Sequence, residues 1–313
     1  MQYKKVSKKG LSTRSISEPT GLVGPEGGNT SLSESLFYEQ QLGRGYPKGK
    51  PAVSPWAKPK KSLGQNFLNN EETLAKIITA ADLSITDQVV EIGPGHGVLT
   101  AELIKNAGKV TSVELDSELI PELKEKFKYA KNFQLMNQNA LEFIPPKTPY
   151  KLVANIPYYI TSPIINHFLR EQLPESRPTV VVILVQKEVA EKICARNGSL
   201  SILAIQAHLF GTPGIIATVP RSHFTPAPKV DSAIIKITIN KPIIEDAEIK
   251  KLFTIINVGF SHKRKKLISN LTQLANMTKE KLSEIFRKLG LDENIRAERL
   301  TINDWIKLSE YVT

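Results

Sequence analysis

The chain carries a single cysteine, Cys194, in 313 residues. One thiol cannot close an intrachain disulfide or build a thiolate zinc site. No apolar run approaches the ~20 residues needed to cross a bilayer. Acid is in short supply as well. Asp and Glu total 31 against 42 Lys and Arg, giving a net charge of +11. A basic excess of this size points to a polyanionic partner, nucleic acid ahead of a membrane surface. The rest of the composition, 41% hydrophobic and 23% charged, is that of an ordinary globular protein with room for one large or two modest domains. A cytoplasmic monomer without membrane attachment is the expectation, ahead of organelle import directed by the basic N-terminus.

Residues 1–60 differ from the rest of the chain. Gly, Ser, Pro and Lys dominate, no helix or strand period persists, and no acid precedes Glu18. Ten Lys and Arg against four Glu give this segment a charge of +6. Such a composition buries too little apolar surface to order itself, so a disordered basic extension is expected. RNA contact and a short transit peptide are the alternatives, and Glu26, Glu34 and Glu39 argue against a long transit peptide.

From residue 61 to 241 strands and helices alternate. Strands are expected at 88–92, 109–114, 133–136, 150–154, 179–185, 214–219 and 231–239. Helices are expected at 71–81, 98–107, from an N-cap at Ser117 to 127, from Ser162, and at 187–195 and 200–210. The alternation implies an α/β fold with a doubly wound, mostly parallel sheet. The last two strands suit an antiparallel hairpin on its edge. Residues 242–313 turn helical, with helices expected at 247–260, 263–275, 279–289 and 301–312, and read as a small second domain.

Two strand ends carry the chemistry. At the first, Glu91-Ile92-Gly93-Pro94-Gly95-His96-Gly97 joins a strand to a helix. Its glycines allow a sharp turn and close approach of a ligand. Glu114 closes the next strand 21 residues after Gly93, where an acid accepts hydrogen bonds from both ribose hydroxyls. The spacing is G-x-G-x-G rather than the dinucleotide G-x-G-x-x-G, and Glu91 precedes it. An acid there suits a cationic ligand without phosphate, such as the sulfonium nucleoside S-adenosylmethionine; a nicotinamide dinucleotide is the second reading. Asn139 follows the third strand, where its amide can read an adenine edge. Asn66 and Leu68 are candidates to close the amino-acid end. His96 reads as a loop residue.

At the second strand end stands Asn155-Ile156-Pro157-Tyr158. Pro157 fixes its own φ and restricts Ile156 to extended geometry. The Asn155 oxygen and the Ile156 carbonyl then face outward as acceptors for an aromatic amine, with Tyr158 placed to stack on its ring. A plain proline turn carrying a turn Asn explains this stretch better when it is read alone.

Five blocks together resemble the small-subunit ribosomal RNA adenine dimethyltransferases, the kasugamycin-sensitivity type. They are residues 63–68 (LGQNFL), 91–95 (EIGPG), 155–158 (NIPY), 224–233 (FTPAPKVDSA) and 260–267 (FSHKRKKL). The resemblance runs from residue 61 to the end and leaves the extension outside. It implies a Rossmann-like methyltransferase that dimethylates two adjacent adenosines of small-subunit ribosomal RNA during ribosome biogenesis. Asn66, Leu68, Gly93, Glu114, Asn139 and Asn155 would hold S-adenosylmethionine, with Glu91, Gly95, Leu115 and Ala140 beside them. The target adenine, flipped from its stack, would lie against Tyr158 with Phe224 on its other face. Lys263, Arg264, Lys265 and Lys266, expected at a helix start, would grip phosphates, and Arg221 and Lys229 would line the rim.

The chain departs from the family pattern at three places. Asn139 replaces a usual Asp, Tyr159 replaces a common Asn, and the loop at 196–199 is short. Besides a small-molecule methyltransferase, against which the basic second domain counts, two other readings compete. One is a large-subunit adenine methyltransferase of the macrolide-resistance type, which shares the glycine and Asn-Ile-Pro-Tyr blocks; the blocks at 224–233 and 260–267 weigh against it. The other is a non-catalytic assembly or transcription factor on the same fold, against which intact Asn155, Tyr158 and Glu114 speak.

Overall fold

The structure is a computed structural model that describes Lys60, residues 64–196 and residues 198–312. The expected basic extension, apart from Lys60, lies outside the described residues, as do Leu63 of the first block and Asn197 of the short loop.

The strands are β1 (Phe67–Leu68), β2 (Gln88–Ile92), β3 (Lys109–Glu114), β4 (Phe133–Asn137), β5 (Lys151–Asn155), β6 (Val180–Gln186), β7 (Gly211–Val219), β8 (Phe224–Thr225) and β9 (Ser232–Ile239). The α-helices are α1 (Glu71–Ala81), α2 (Val98–Asn106), α3 (Ile120–Lys126), α4 (Thr161–Asn166), α5 (Lys187–Cys194), α6 (Ile202–Phe210), α7 (Asp246–Gly259), α8 (Leu267–Leu271), α9 (Lys279–Leu289) and α10 (Ile302–Tyr311). Seven strands form one sheet in the order β4-β3-β2-β5-β6-β9-β7, and β1 pairs separately with β8. Pairs β2–β3, β3–β4, β2–β5 and β5–β6 are parallel, whereas β9 runs antiparallel to both β6 and β7. Central strands read as apolar runs because both faces are covered; β6 is Val-Val-Val-Ile-Leu-Val-Gln with its five middle residues buried. Pro213, which cannot donate to a ladder, is tolerated because β7 lies on the sheet edge.

The winding fixes where a ligand can go. From β2 the chain steps outward through β3 to β4, then returns to the other side of β2 as β5. The order reverses between β2 and β5, and open α/β sheets bind ligands in the crevice at such a switch point, beyond the strands' carboxyl ends.

Three expected helix starts move, one of them from Leu200 to Ile202, where Ser201 caps the helix by accepting the Ala204 N–H. The third helix begins at Ile120 rather than at Ser117, because Asp116 organises the turn before it: its carboxylate accepts the Glu118 N–H and its carbonyl the Leu119 N–H. Residues 261–265 form turns and the helix begins at Leu267, so the four cations precede it. Four positive charges in a first helical turn would oppose the helix dipole. The Asn270 side chain holds the turn instead, donating to the carbonyls of Gly259 at 2.6 Å and His262 at 3.2 Å.

The other three C-terminal helices begin within one residue of where their sequences predict. Glu245 with Glu248 and Thr301 with Asp304 form capping boxes, and Thr278 caps α9. Helices α7–α10 share a continuous apolar cluster with the sheet and α6, running from Val90 to Val312. At its C-terminal end Trp305, 0% exposed, stacks on Phe260 with centroids 5.7 Å apart. Gly259 permits this: a Cβ there would stand 2.5 Å from the indole and 2.9 Å from Leu267. Gly259→Ala should therefore destabilise the protein by about 1–3 kcal/mol through overpacking, despite the better helix propensity of Ala. Urea unfolding checks this, and unchanged or raised stability would show that the indole yields freely.

Candidate active site

The parallel register of β2 and β5 sets Ile92 beside Ala154, so the next residues of both strands emerge together. Gly93 has φ +68°, in the left-handed region, and turns the chain out of β2 into the loop that starts α2. A Cβ on Gly93 would lie 3.7 Å from the Asn155 carbonyl oxygen and 3.8 Å from the Ile156 side chain. The glycine turn and the Asn-Ile-Pro-Tyr corner are thus in contact, as a shared site requires. They open into one cleft of about 1040 Å³, counting the space at its mouth.

Two acids flank the turn and behave differently. Glu114 lines the cleft. Its carboxylate accepts the Asp116 N–H at 2.8 Å and the Gly95 N–H at 3.1 Å. Burial raises its pKa above the ordinary carboxylate value, and these two donors act against the rise. Each oxygen keeps a lone pair for a further donor, such as a ribose hydroxyl. Glu91, expected to face the ligand, instead lies beneath the turn at 1% exposure and outside the cleft wall. One of its oxygens accepts Thr100 Oγ1 at 2.7 Å and Ser112 Oγ; the other has no partner. Burial pushes its pKa up to about 7. Strand alternation explains the placement: Glu91 points into the packed layer under α2, where a sequence motif cannot show which way an acid faces.

The other cofactor candidates converge on the cleft. Asn66, Leu68, Gly95, Leu115, Asn139, Ala140 and Asn155 line it with Gly93 and Glu114. Leu115, 55% exposed, presents an apolar surface at its mouth. Asn139 forms an Asx turn, accepting the Leu141 N–H at 3.0 Å, while its amide donates to Glu142 at 3.3 Å. The Asn155 side chain is half-buried and has no hydrogen-bond partner among the described residues. No Lys or Arg stands among the described residues of the wall. A buried acid, the free Asn155 amide, apolar surfaces and no Lys or Arg fit a phosphate-free cationic nucleoside such as S-adenosylmethionine, and they fit a pyrophosphate poorly.

Residues 65–68, within a strap spanning 64–69, form one wall. Gln65 donates to Asp116 at 3.0 Å, and Lys60 pairs with the same carboxylate at 2.7 Å, tying the strap to the end of β3. Farther along, Phe67 and Leu68 pair with Thr225 and Phe224. This pairing buries Phe224, 3% exposed, which offers no open face to a base here. Tyr158 is half-buried, its hydroxyl 2.6 Å from Ser232 Oγ, and it stands outside the cleft wall. Pro157 and Ile156 are on the wall. Arg221, Lys229, Lys263, Arg264, Lys265 and Lys266 are all exposed and lie outside the cleft wall. Sequence reasoning missed Gln65, Gln138 and Tyr159 as wall residues. For Gln65 the signal was its place inside the LGQNFL block. For Tyr159 it was the departure from the family's common Asn; the one-turn 3₁₀-helix, Tyr158–Ile160, then turns its ring away from that of Tyr158.

A family model described as "Ribosomal RNA adenine dimethylase" matches residues 57–313. A curated relative from Dehalococcoides mccartyi, named ribosomal RNA small subunit methyltransferase A, is 42% identical over 257 residues, covering 80% of this chain and 87% of the relative. One of the same name from Fusobacterium nucleatum is 40% identical over 262 residues, covering 80% and 96%. Among solved structures, a dimethyladenosine transferase from Plasmodium falciparum superposes with a TM-score of 0.67 at 31% identity, covering 77% of this chain and 95% of that one. The 23S rRNA methyltransferase ErmE superposes at 0.63 and 28% identity, covering 79% and 99%.

Glu91 yields a pH-dependent stability. Its folded pKa of about 7 lies above the ordinary 4.5, so the folded state binds its proton more tightly than the unfolded chain does. Stability from this group is fully present below pH 4.5 and is lost as pH rises to 7. Glu91→Gln should remove that slope. Relative to wild type the variant should gain up to roughly 3 kcal/mol between pH 4.5 and pH 8, read from urea unfolding at each pH. Parallel pH profiles for the two proteins would contradict the assignment.

Proposed function

The chain belongs to the ribosomal RNA adenine dimethylase family, and from that premise we propose that it methylates the exocyclic amines of two adjacent adenosines in small-subunit ribosomal RNA to dimethyladenosines. The names of its 40–42% identical relatives support the small-subunit substrate over the large-subunit one. The observation that carries the chemistry is the close approach of the Gly93 turn to the Asn155 backbone carbonyl and the Ile156 side chain at the switch point, on the residue whose side-chain amide is unpartnered among the described residues.

S-adenosylmethionine is the proposed methyl donor, and when bound it supplies an electrophilic methyl on a sulfonium. Glu114 would take the ribose hydroxyls, Leu115 and Ala140 the purine faces, and Asn139 the adenine edge. Asn66, Leu68, Gly93, Gly95 and Asn155 would enclose the remainder, while Glu91 supports the turn from beneath. On the substrate side, the Asn155 Oδ1 and the Ile156 carbonyl accept the two amine hydrogens. Both acceptors favour a tetrahedral nitrogen and free its lone pair from conjugation with the ring. Pro157 keeps the carbonyl from turning away. Alignment of this kind contributes ~7–11 kcal/mol when the geometry is near-attack. Tyr158, braced by Ser232, would stack on the flipped adenine. Engaging Phe224 as a second face would require β8 to shift from its position against β1.

The exposed cations at 263–266, with Arg221 and Lys229 nearer the rim, would hold RNA phosphates, which makes residues 242–313 the RNA-contacting part. No helix of the described residues is long and apolar enough to cross a membrane. Within this proposal the protein acts as a monomer on a small-subunit precursor in the cytoplasm.

Asn155→Ala should abolish methyl transfer to small-subunit RNA while leaving the thermal melt within a few degrees of wild type. Labelled methyl incorporation measures it, and undiminished transfer would remove Asn155 from the mechanism.

A further inference from the structure

Tyr159 is an aromatic residue of the cleft wall that the assigned roles leave unused. It lines the cleft yet is 62% exposed. Single exposed apolar side chains need no explanation by themselves. This one is held in place. The ring edge carrying Cδ1 and Cε1 rests on Gly64, where a Cβ would come within 3.3 Å of it, and Pro157 packs beside them. Gly64 itself sits at φ +59°, so the strap keeps a residue without a side chain under the ring. The Tyr159 hydroxyl has no partner among the described residues.

The neighbouring ring points elsewhere. A 3₁₀-helix turns each residue by ~120°. Tyr158 is directed to Ser232 on β9, and Tyr159 to Gly64 on the strap. The two rings therefore diverge from one corner, the corner that holds Asn155 and Ile156. Leu115, 55% exposed on the same wall, follows Glu114 on the side assigned to the nucleoside, whereas Tyr159 follows Tyr158 on the substrate side.

We infer that Tyr159 is a base-stacking residue for the nucleotide adjoining the target adenosine, so that the enzyme grips two consecutive bases on two diverging rings. The inference rests on the proposed RNA adenosine substrate and deepens it. A flipped base leaves its neighbour without a stacking partner, and an open aromatic face replaces that partner irrespective of base identity. With two adjacent targets, the ring would hold whichever adenosine is not reacting.

The test uses the full chain, S-adenosylmethionine and an RNA hairpin with two adjacent adenosines, alongside a hairpin in which one of the two is abasic. Tyr159→Phe should behave as wild type. Tyr159→Ala and Tyr159→Leu should raise the RNA KM about tenfold, equivalent to about 1.4 kcal/mol, with kcat and cofactor Kd unchanged. The Leu variant keeps apolar packing on Gly64 without an aromatic face, which separates stacking from local folding. Removing the neighbouring base should raise the wild-type KM by a similar factor and add little to the Ala variant's loss. Fully additive losses, or a weakened cofactor Kd with unchanged RNA KM, would overturn the inference. A wild type that methylates only undermethylated small subunits moves the same variants and readouts onto that substrate, and one that methylates neither hairpins nor subunits would defeat the substrate reading, and the inference with it.

Discussion

The parallel pairing of β2 with β5 is the constraint on which the site depends. It sets two strand ends side by side where the winding reverses, and each end contributes what the other lacks. Gly93 leaves space and a turned backbone; Asn155 brings an amide that nothing in the described protein satisfies. A half-buried polar group without a partner costs stability unless a ligand or water engages it. A slip of one residue in this pair would turn Asn155 toward the opposite face and close the crevice.

Around this corner the polar groups divide into those spent on architecture and those kept for ligands. Glu91 is spent beneath the turn, Asp116 on Lys60, Gln65 and the turn before α3, and Asn270 on the cationic loop. Glu114 is partly spent, since its two backbone donors fix the carboxylate while its outer lone pairs stay free. Tyr158 and Phe224 are braced by β9 and β1, so the substrate side is more closed than the cofactor side. The strap at 64–69 touches both sides, which links them mechanically.

Much of the fold was legible in the sequence. The central strands are apolar runs bounded by turn residues, and β2, β3, α1 and α9 begin and end where their patterns predict. Starts governed by side chains at a distance were less visible. The shift from Ser117 to Ile120 depends on Asp116, and the late start of α8 depends on Asn270 reaching back to Gly259. In the site, glycines and strand-end residues could be read because strand position sets direction. Glu91 was misread because its motif gives spacing but not facing, and Phe224 because its burial comes from pairing with a segment 156 residues earlier. Tyr159 was visible only as a departure from a family pattern, and its role emerges from its contact with Gly64.

The shared corner is tested most directly by calorimetric titration of S-adenosylmethionine into wild type and Gly93→Ala. The added methyl would project beside the Asn155 carbonyl without clashing with protein, but the left-handed φ of +68° strains an alanine, so the melt of the variant is read beside the titration to separate backbone strain from loss of crevice space. The account predicts saturable one-to-one binding by wild type and at least tenfold weaker binding by the variant, whose melt remains cooperative. Equal affinities for the two proteins would contradict it.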